Sequence, residues 1–153
     1  CHYVLGLTIG AAAAGGWIAV TGSFAPTAYA LWAGGGLWIA GFDILYATPD
    51  YTFDRAHGVK SIPARFGIPQ ALRVARASHL LAWLAFLWAG VSYGAGPLYY
   101  LGLLLVGGLL LLEHRLVSPE DLSKVEVAFF QANVGVSLGM FLFIVLDLLA
   151  RGA

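Results

Sequence analysis

Hydrophobic and polar positions divide this chain into long apolar runs separated by two polar segments. Between residues 1 and 42 no side chain carries a full charge, and the only interruption is Gly22-Ser23-Phe24-Ala25-Pro26. About 20 apolar residues cross a bilayer as a helix, so spans are expected at 3–21 and 27–46. A mixed segment, 47–75, cannot lie in hydrocarbon unless it folds over a polar cavity. From 77 to 112 full charges again vanish, and Gly94-Ala95-Gly96-Pro97 splits the run into spans at 77–93 and 97–112. After a second polar segment, a last span is expected at 127–146. Within that second segment Ser118-Pro119-Glu120-Asp121 reads as an N-cap, an N1 proline and an acidic first turn. The pattern therefore predicts an all-α, multi-span transmembrane bundle of five helices forming one unit over 1–153.

Small residues sharpen the packing expectation. Ala11 to Gly16 in the first span, and Gly34, Gly35 and Gly36 in the second, would let helix backbones approach closely. Trp17, Trp32, Trp38, Trp83 and Trp88 read as interfacial or packing aromatics. Asp147 and Arg151, an i, i+4 pair, read as an exposed helix end.

Composition agrees with a membrane solvent: 60% of the 153 residues are hydrophobic and 10% are charged, against about 25% charged in a soluble domain. The net charge of zero argues against a nucleic-acid surface, which needs a basic excess. One cysteine makes neither an intrachain disulfide nor a thiolate metal site. Charge distribution is more telling than its sum. Arg55, Lys60, Arg65, Arg73 and Arg76 lie in the first polar segment and Arg115 and Lys124 in the second, seven of the eight cations. Cytoplasmic loops are enriched in Lys and Arg, so both segments are expected on the cytoplasmic side of the cell (inner) membrane, with the Gly-Pro turns outside.

The chemistry concentrates in the first polar segment, which reads DILYATPDYTFDRAHGVKSIPARFG from Asp43 to Gly67. On a continuous helix Asp43, Asp50 and Asp54, at i, i+7 and i+11, project from one face. Pro49 interrupts that helix, so Asp50 and Asp54 alternatively open a new short one. Carboxylates suit Mg²⁺, which is shared between one or two of them and a substrate's phosphate oxygens. Arg55, Gly58, Lys60, Ser61 and Arg65 follow with cationic donors, a hydroxyl and a point of close backbone approach. A magnesium-bound diphosphate is the expected guest; for Asp50 and Asp54 a solvated loop whose acids pair with Arg55 or Arg65 stands beside the role of metal ligands. Asp43, flanked by Ile39, Phe42, Ile44 and Leu45 at membrane depth, is either functional or the buried partner of an arginine. His57, His79 and His114 lack metal-ligand spacing and read as loop or interface residues.

These residues carry a family resemblance. The pattern D-x-x-Y-A-x-x-D-x-x-x-D-x-x-x-G-x-K-S, at Asp43, Tyr46, Ala47, Asp50, Asp54, Gly58, Lys60 and Ser61 and followed by Phe66-Gly67, resembles the second aspartate-rich motif of the UbiA superfamily of intramembrane prenyltransferases. Within it the wording is similar to 4-hydroxybenzoate polyprenyltransferases, and SIPARFG to a branch that prenylates a dihydroxynaphthoate for menaquinone. The resemblance implies the C-terminal five helices of a nine-helix all-α fold. It also implies a partner, the N-terminal half, which carries the first aspartate-rich motif. Opening at Cys1 without an initiator methionine or basic leader, the chain is expected to be incomplete and inactive alone.

The implied reaction is Mg²⁺-dependent transfer of a polyprenyl group from polyprenyl diphosphate to an aromatic acid in ubiquinone or menaquinone biosynthesis. Catalytic roles would fall to Asp43, Asp50 and Asp54, and substrate contacts to Tyr46, Lys60, Ser61 and Arg65. Trp38, Phe42 and Tyr46 share the face leading to the acids, with packing as their plainer role and stabilisation of an allylic cation as the sharper one. Gln131 and Asn133 with Phe129 resemble the polar opening of the family's final helix. Lipid-ether, haem O and chlorophyll prenyltransferases share the scaffold. The rival from another class is a cation transporter segment whose three aspartates line an ion path; it leaves G-x-K-S and its arginines without a purpose.

Overall fold

A computed structural model describes residues 1–152, and their side chains except those of 127–129, so Phe129 lies outside the described side chains. Seven helices follow in order: α1 (His2–Thr21), α2 (Pro26–Tyr46), α3 (Tyr51–Ala56), α4 (Ile62–Phe66), α5 (Ile68–Tyr93), α6 (Pro97–Leu116) and α7 (Val125–Ala150). Five contain stretches long and apolar enough to cross a membrane: α1, α2, α5, α6 and residues 130–150 of α7. The two short ones, α3 and α4, occupy the first polar segment.

The boundaries differ from expectation where charge was read as loop. Helix α5 begins at Ile68, nine residues before the expected 77, because Pro69 sits in its first turn, where a missing N–H costs nothing. Arg73 and Arg76 are therefore helical. The Ser118 reading is corrected. Residues 117–124 form a turn, in which the Ser118 hydroxyl accepts the Asp121 N–H (3.1 Å). Asp121 in turn accepts from the Ser123 hydroxyl (2.6 Å) and N–H (3.0 Å), bonds that hold its carboxyl below the usual range. Helix α7 starts after this turn, at Val125.

Helix α2 is packed between α1 and α5, and α6 runs against α7. The approach of α1 to α2 is set by Gly6 and Gly10, where a Cβ would collide with the backbone of Gly36. At Gly15 and Gly16, expected to pack, a Cβ would have no neighbour within 4 Å. On the other side of α2, Gly34 receives the Phe86 ring and Gly41 the His79 ring, both from α5. With little hydrophobic drive between helices in lipid, such close contacts and interhelical hydrogen bonds hold the bundle. Trp32 donates to the Leu7 carbonyl and Trp83 to the Leu103 carbonyl, each at 2.8 Å. Two of the five tryptophans thus clamp neighbouring helices.

Asp147 is also corrected. It is buried, not an exposed helix end. Its carboxylate accepts the N–H groups of Gly96 (2.8 Å) and Tyr99 (3.3 Å), capping the N-terminus of α6, while Arg151 lies 3.6 Å away. Those N–H groups have no partner within their own helix.

Candidate functional site

The polar segment stands on a small apolar core. Ile44 and Leu45 at the end of α2, Ala71, Leu72 and Ala75 in α5, and Val117 and Val125 from the second polar segment are buried together, with Ile62 and Ile68 packed on them. This cluster fixes where α2 ends and where α4 begins. Between them the chain breaks at Thr48-Pro49: Thr48 is fully buried, and its hydroxyl donates to the Leu45 carbonyl at 2.7 Å. The three aspartates therefore do not share one helix. Asp43 belongs to α2, and Asp50 and Asp54 to the start and interior of α3, as the proline alternative expects.

Asp50 caps α3 and its carbonyl accepts the Asp54 N–H at 2.8 Å, so the two acids sit one turn apart. Asp50 is exposed; Asp54 is 8% exposed. Helix α3 is stopped by Gly58, whose φ of +69° lets the Val59 N–H turn back to the Asp54 carbonyl at 2.9 Å. That closure swings the following residues, Lys60 and Ser61, towards Asp54. Ser61 is the N-cap of α4: its oxygen accepts the Ala64 N–H at 3.2 Å, leaving the hydroxyl proton to be donated elsewhere.

These residues line one cavity of about 540 Å³, whose wall includes Asp54, Arg55, Gly58, Lys60, Ser61 and Arg65 from the motif and His2 and Tyr3 from α1. Asp43, Asp50 and Tyr46 are not part of that wall. Among the described residues no ion pair joins Asp50 or Asp54 to any cation. Arg55 instead bonds the Tyr51 hydroxyl at 2.8 Å, and Arg65 lies over the Phe66 ring at 5.2 Å. Buried carboxylates are ordinarily paired or bind metal. The Asp54 carboxylate has no hydrogen-bond or ion-pair partner among the described residues, and it faces a space shared with cations and a hydroxyl.

The donor set fits magnesium of a particular kind. Among the described residues no three His, Cys, Asp or Glu side chains are placed to hold a metal by themselves. Two acids one turn apart, with cationic and hydroxyl side chains near Asp54, match an ion that takes one or two carboxylates and completes its shell with other oxygens and water.

Asp43 pairs with a residue that sequence reasoning passed over. Its partner is a histidine and not an arginine: His2 Nδ1 lies 2.6 Å from Asp43 Oδ2. His2 Nε2 accepts the Ile62 N–H at 3.1 Å. His79 and His114, expected in loops or interfaces, lie at a helix–helix interface. They meet between α5 and α6 at 3.0 Å, with His79 1% exposed and Glu113 buried beside it at 3.8 Å. His57 is a surface residue stacked on Phe53. Trp38 and Phe42 pack on each other at 5.1 Å and Phe42 meets His79 edge-on, so packing is their observed role.

Residues 1–144 match the UbiA prenyltransferase family. Among curated relatives, a protein of Nitrosospira multiformis named 4-hydroxybenzoate octaprenyltransferase is 34% identical over 122 residues, 76% of this chain and 40% of its own length. One of the same name from Methylococcus capsulatus is 34% identical over 145 residues, 90% of this chain and 48% of its own. The chain thus spans less than half the length of these relatives. The apo structure of a UbiA homolog from Aeropyrum pernix superposes with a TM-score of 0.81 at 30% identity, covering 96% of this chain and 55% of that one.

Proposed function

The chain belongs to the UbiA prenyltransferase family, and from that premise we propose that it carries the diphosphate-binding part of an enzyme that transfers a polyprenyl group to an aromatic acid. The observation that supports this reading most directly is the unpaired, 8% exposed Asp54 facing the same cavity as Lys60, Ser61 and Arg65. Acids and cations that close together would neutralise one another if their task were structural. Kept apart, they suit a ligand that is itself a cation joined to an anion.

In this reading Asp50 and Asp54 hold Mg²⁺, while Lys60 Nζ and the Arg65 guanidinium draw in the diphosphate and balance its charge. The Ser61 hydroxyl donates its free proton to a phosphate oxygen. Magnesium, when bound, withdraws electron density from the leaving diphosphate. As the carbon–oxygen bond breaks, charge grows on the diphosphate, and Lys60 and Arg65 stabilise it more strongly than in the ground state. The allylic carbon is then attacked by the electron-rich ring of the acceptor, which gives up the proton of the attacked carbon to regain aromaticity. The relatives' names point to 4-hydroxybenzoate as acceptor; a dihydroxynaphthoate is the alternative that SIPARFG suggests. The products would be ubiquinone or menaquinone precursors.

The test is an assay of the full-length protein in membranes with polyprenyl diphosphate and each aromatic acid. Transfer is expected only with Mg²⁺ or a similar hard divalent ion. Undiminished transfer in excess chelator would overturn the reading.

A further inference from the structure

We propose that His2 is a positioning residue for the diphosphate site, tying the segment Lys60-Ser61-Ile62 to Asp43 in α2. This rests on the reading of Lys60 and Ser61 as diphosphate contacts.

The bonding pattern assigns the histidine's protons. Nε2 accepts the Ile62 N–H at 3.1 Å and so carries no hydrogen. A neutral imidazole then has its proton on Nδ1, and Nδ1 lies 2.6 Å from Asp43 Oδ2, a short charge-assisted bond to a carboxylate. An imidazolium would set an N–H against the Ile62 N–H, so the arrangement selects one tautomer and one charge state. The residue is 3% exposed, which keeps water off the imidazole, while the Asp43 side chain is 33% exposed.

The Ile62 end matters because Ile62 is the first residue of α4. The first N–H groups of a helix lack intrahelical partners. Here each in the first turn is accounted for: Ile62 donates to His2, Pro63 has no N–H, and Ala64 donates to Ser61. The helix start is therefore closed to an anion, and the donors on the cavity wall are side chains, among them Arg55, Lys60, the Ser61 hydroxyl and Arg65. Their position relative to Asp54 depends on what holds residues 60–62. Besides the apolar seat of Ile62 and a long contact from Cys1 Sγ to the Lys60 carbonyl at 3.9 Å, the histidine ties this segment through polar bonds, reaching 60 positions along the chain on one side and 41 on the other.

Two isosteric changes separate the two bonds. In His2→Asn the amide nitrogen overlies Nδ1, keeping the donor to Asp43 and losing the acceptor for Ile62. In His2→Gln the terminal oxygen reaches the place of Nε2, keeping Ile62 and losing Asp43. His2→Leu removes both. In full-length protein each of the first two is expected to raise KM for polyprenyl diphosphate about three- to tenfold and His2→Leu more, with kcat falling less and the Mg²⁺ concentration for half activity unchanged. Combining His2→Leu with Asp43→Asn should cost little beyond His2→Leu alone, because the two residues share one bond. Nitrogen NMR of ¹⁵N-histidine-labelled protein, assigned by His2→Asn, should show a pyrrole-type Nδ1 and a pyridine-type Nε2. That readout needs no turnover. Wild-type KM in all three variants, additive losses in the double variant, or a proton on Nε2 would overturn the proposal. Turnover surviving Asp54→Ala would overturn the reading of the site instead, and the NMR signature would still report on the tie.

Discussion

At the scale of single residues, the three aspartates of the motif have three environments, and their substitutions should separate accordingly. Asp54 is buried and unpaired, Asp50 is exposed one turn away, and Asp43 is bonded to His2. Replacing a group that merely supports a metal ligand costs about 10–100-fold, so losing a ligand itself should cost about 100-fold or more. Asp50→Ala and Asp54→Ala are therefore expected to abolish measurable transfer with normal membrane insertion. Wild-type turnover in either would remove that residue from the metal shell. Asp43→Asn should lower kcat/KM by about tenfold, chiefly through KM, in the range for a supporting residue, while a magnesium titration shows an unchanged half-activity concentration. A large rise in that concentration would place Asp43 among the ligands. The acids and the cations were legible in the sequence because their spacing along the chain is local. His2 was not, since a single histidine opening an apolar run carries no pattern, and its partners lie 41 and 60 positions away.

At the scale of helices, hydropathy located all five spans, and charge misplaced their ends. Arg73 and Arg76 made the first turns of α5 read as loop, yet Pro69 in the first turn was the stronger signal. Small residues were legible as packing material without their register. Gly6 and Gly10 face α2, whereas Gly15 and Gly16 face open space, and a stripe of small residues has no polarity to show which way it points. The distinction is measurable. Overpacking a tight contact costs about 1–3 kcal/mol or more when backbone must move, and a Cβ on Gly10 would meet the backbone of Gly36 and Trp32. Gly10→Leu is expected to lower the melting temperature and the folded yield in detergent. Gly15→Leu and Gly16→Leu should leave both unchanged. Equal effects at all three positions would show that α1 packs on another face.

At the scale of the whole molecule, the proposed function depends on which side of the membrane the motif segment lies. Helices α1 and α2 are joined at 22–25 and α5 and α6 at 94–96, and neither turn contains a cation. The motif segment and the 117–124 turn lie at the opposite ends of these helices and hold or adjoin seven of the eight cations. Moving a loop that carries several Lys and Arg across the bilayer opposes the rule that such loops stay on the cytoplasmic side. A water-soluble diphosphate head would then meet Asp54, Lys60 and Ser61 without crossing hydrocarbon, while its chain lies in the membrane. In the full-length protein, with Cys1 replaced by serine, cysteines placed at His57 and Glu120, both exposed, should resist an impermeant thiol reagent in intact cells and react once the membrane is opened. A cysteine at the exposed Gly94 should react in intact cells. Labelling of position 57 from outside would invert the topology and overturn the expected cytoplasmic placement of the motif segment.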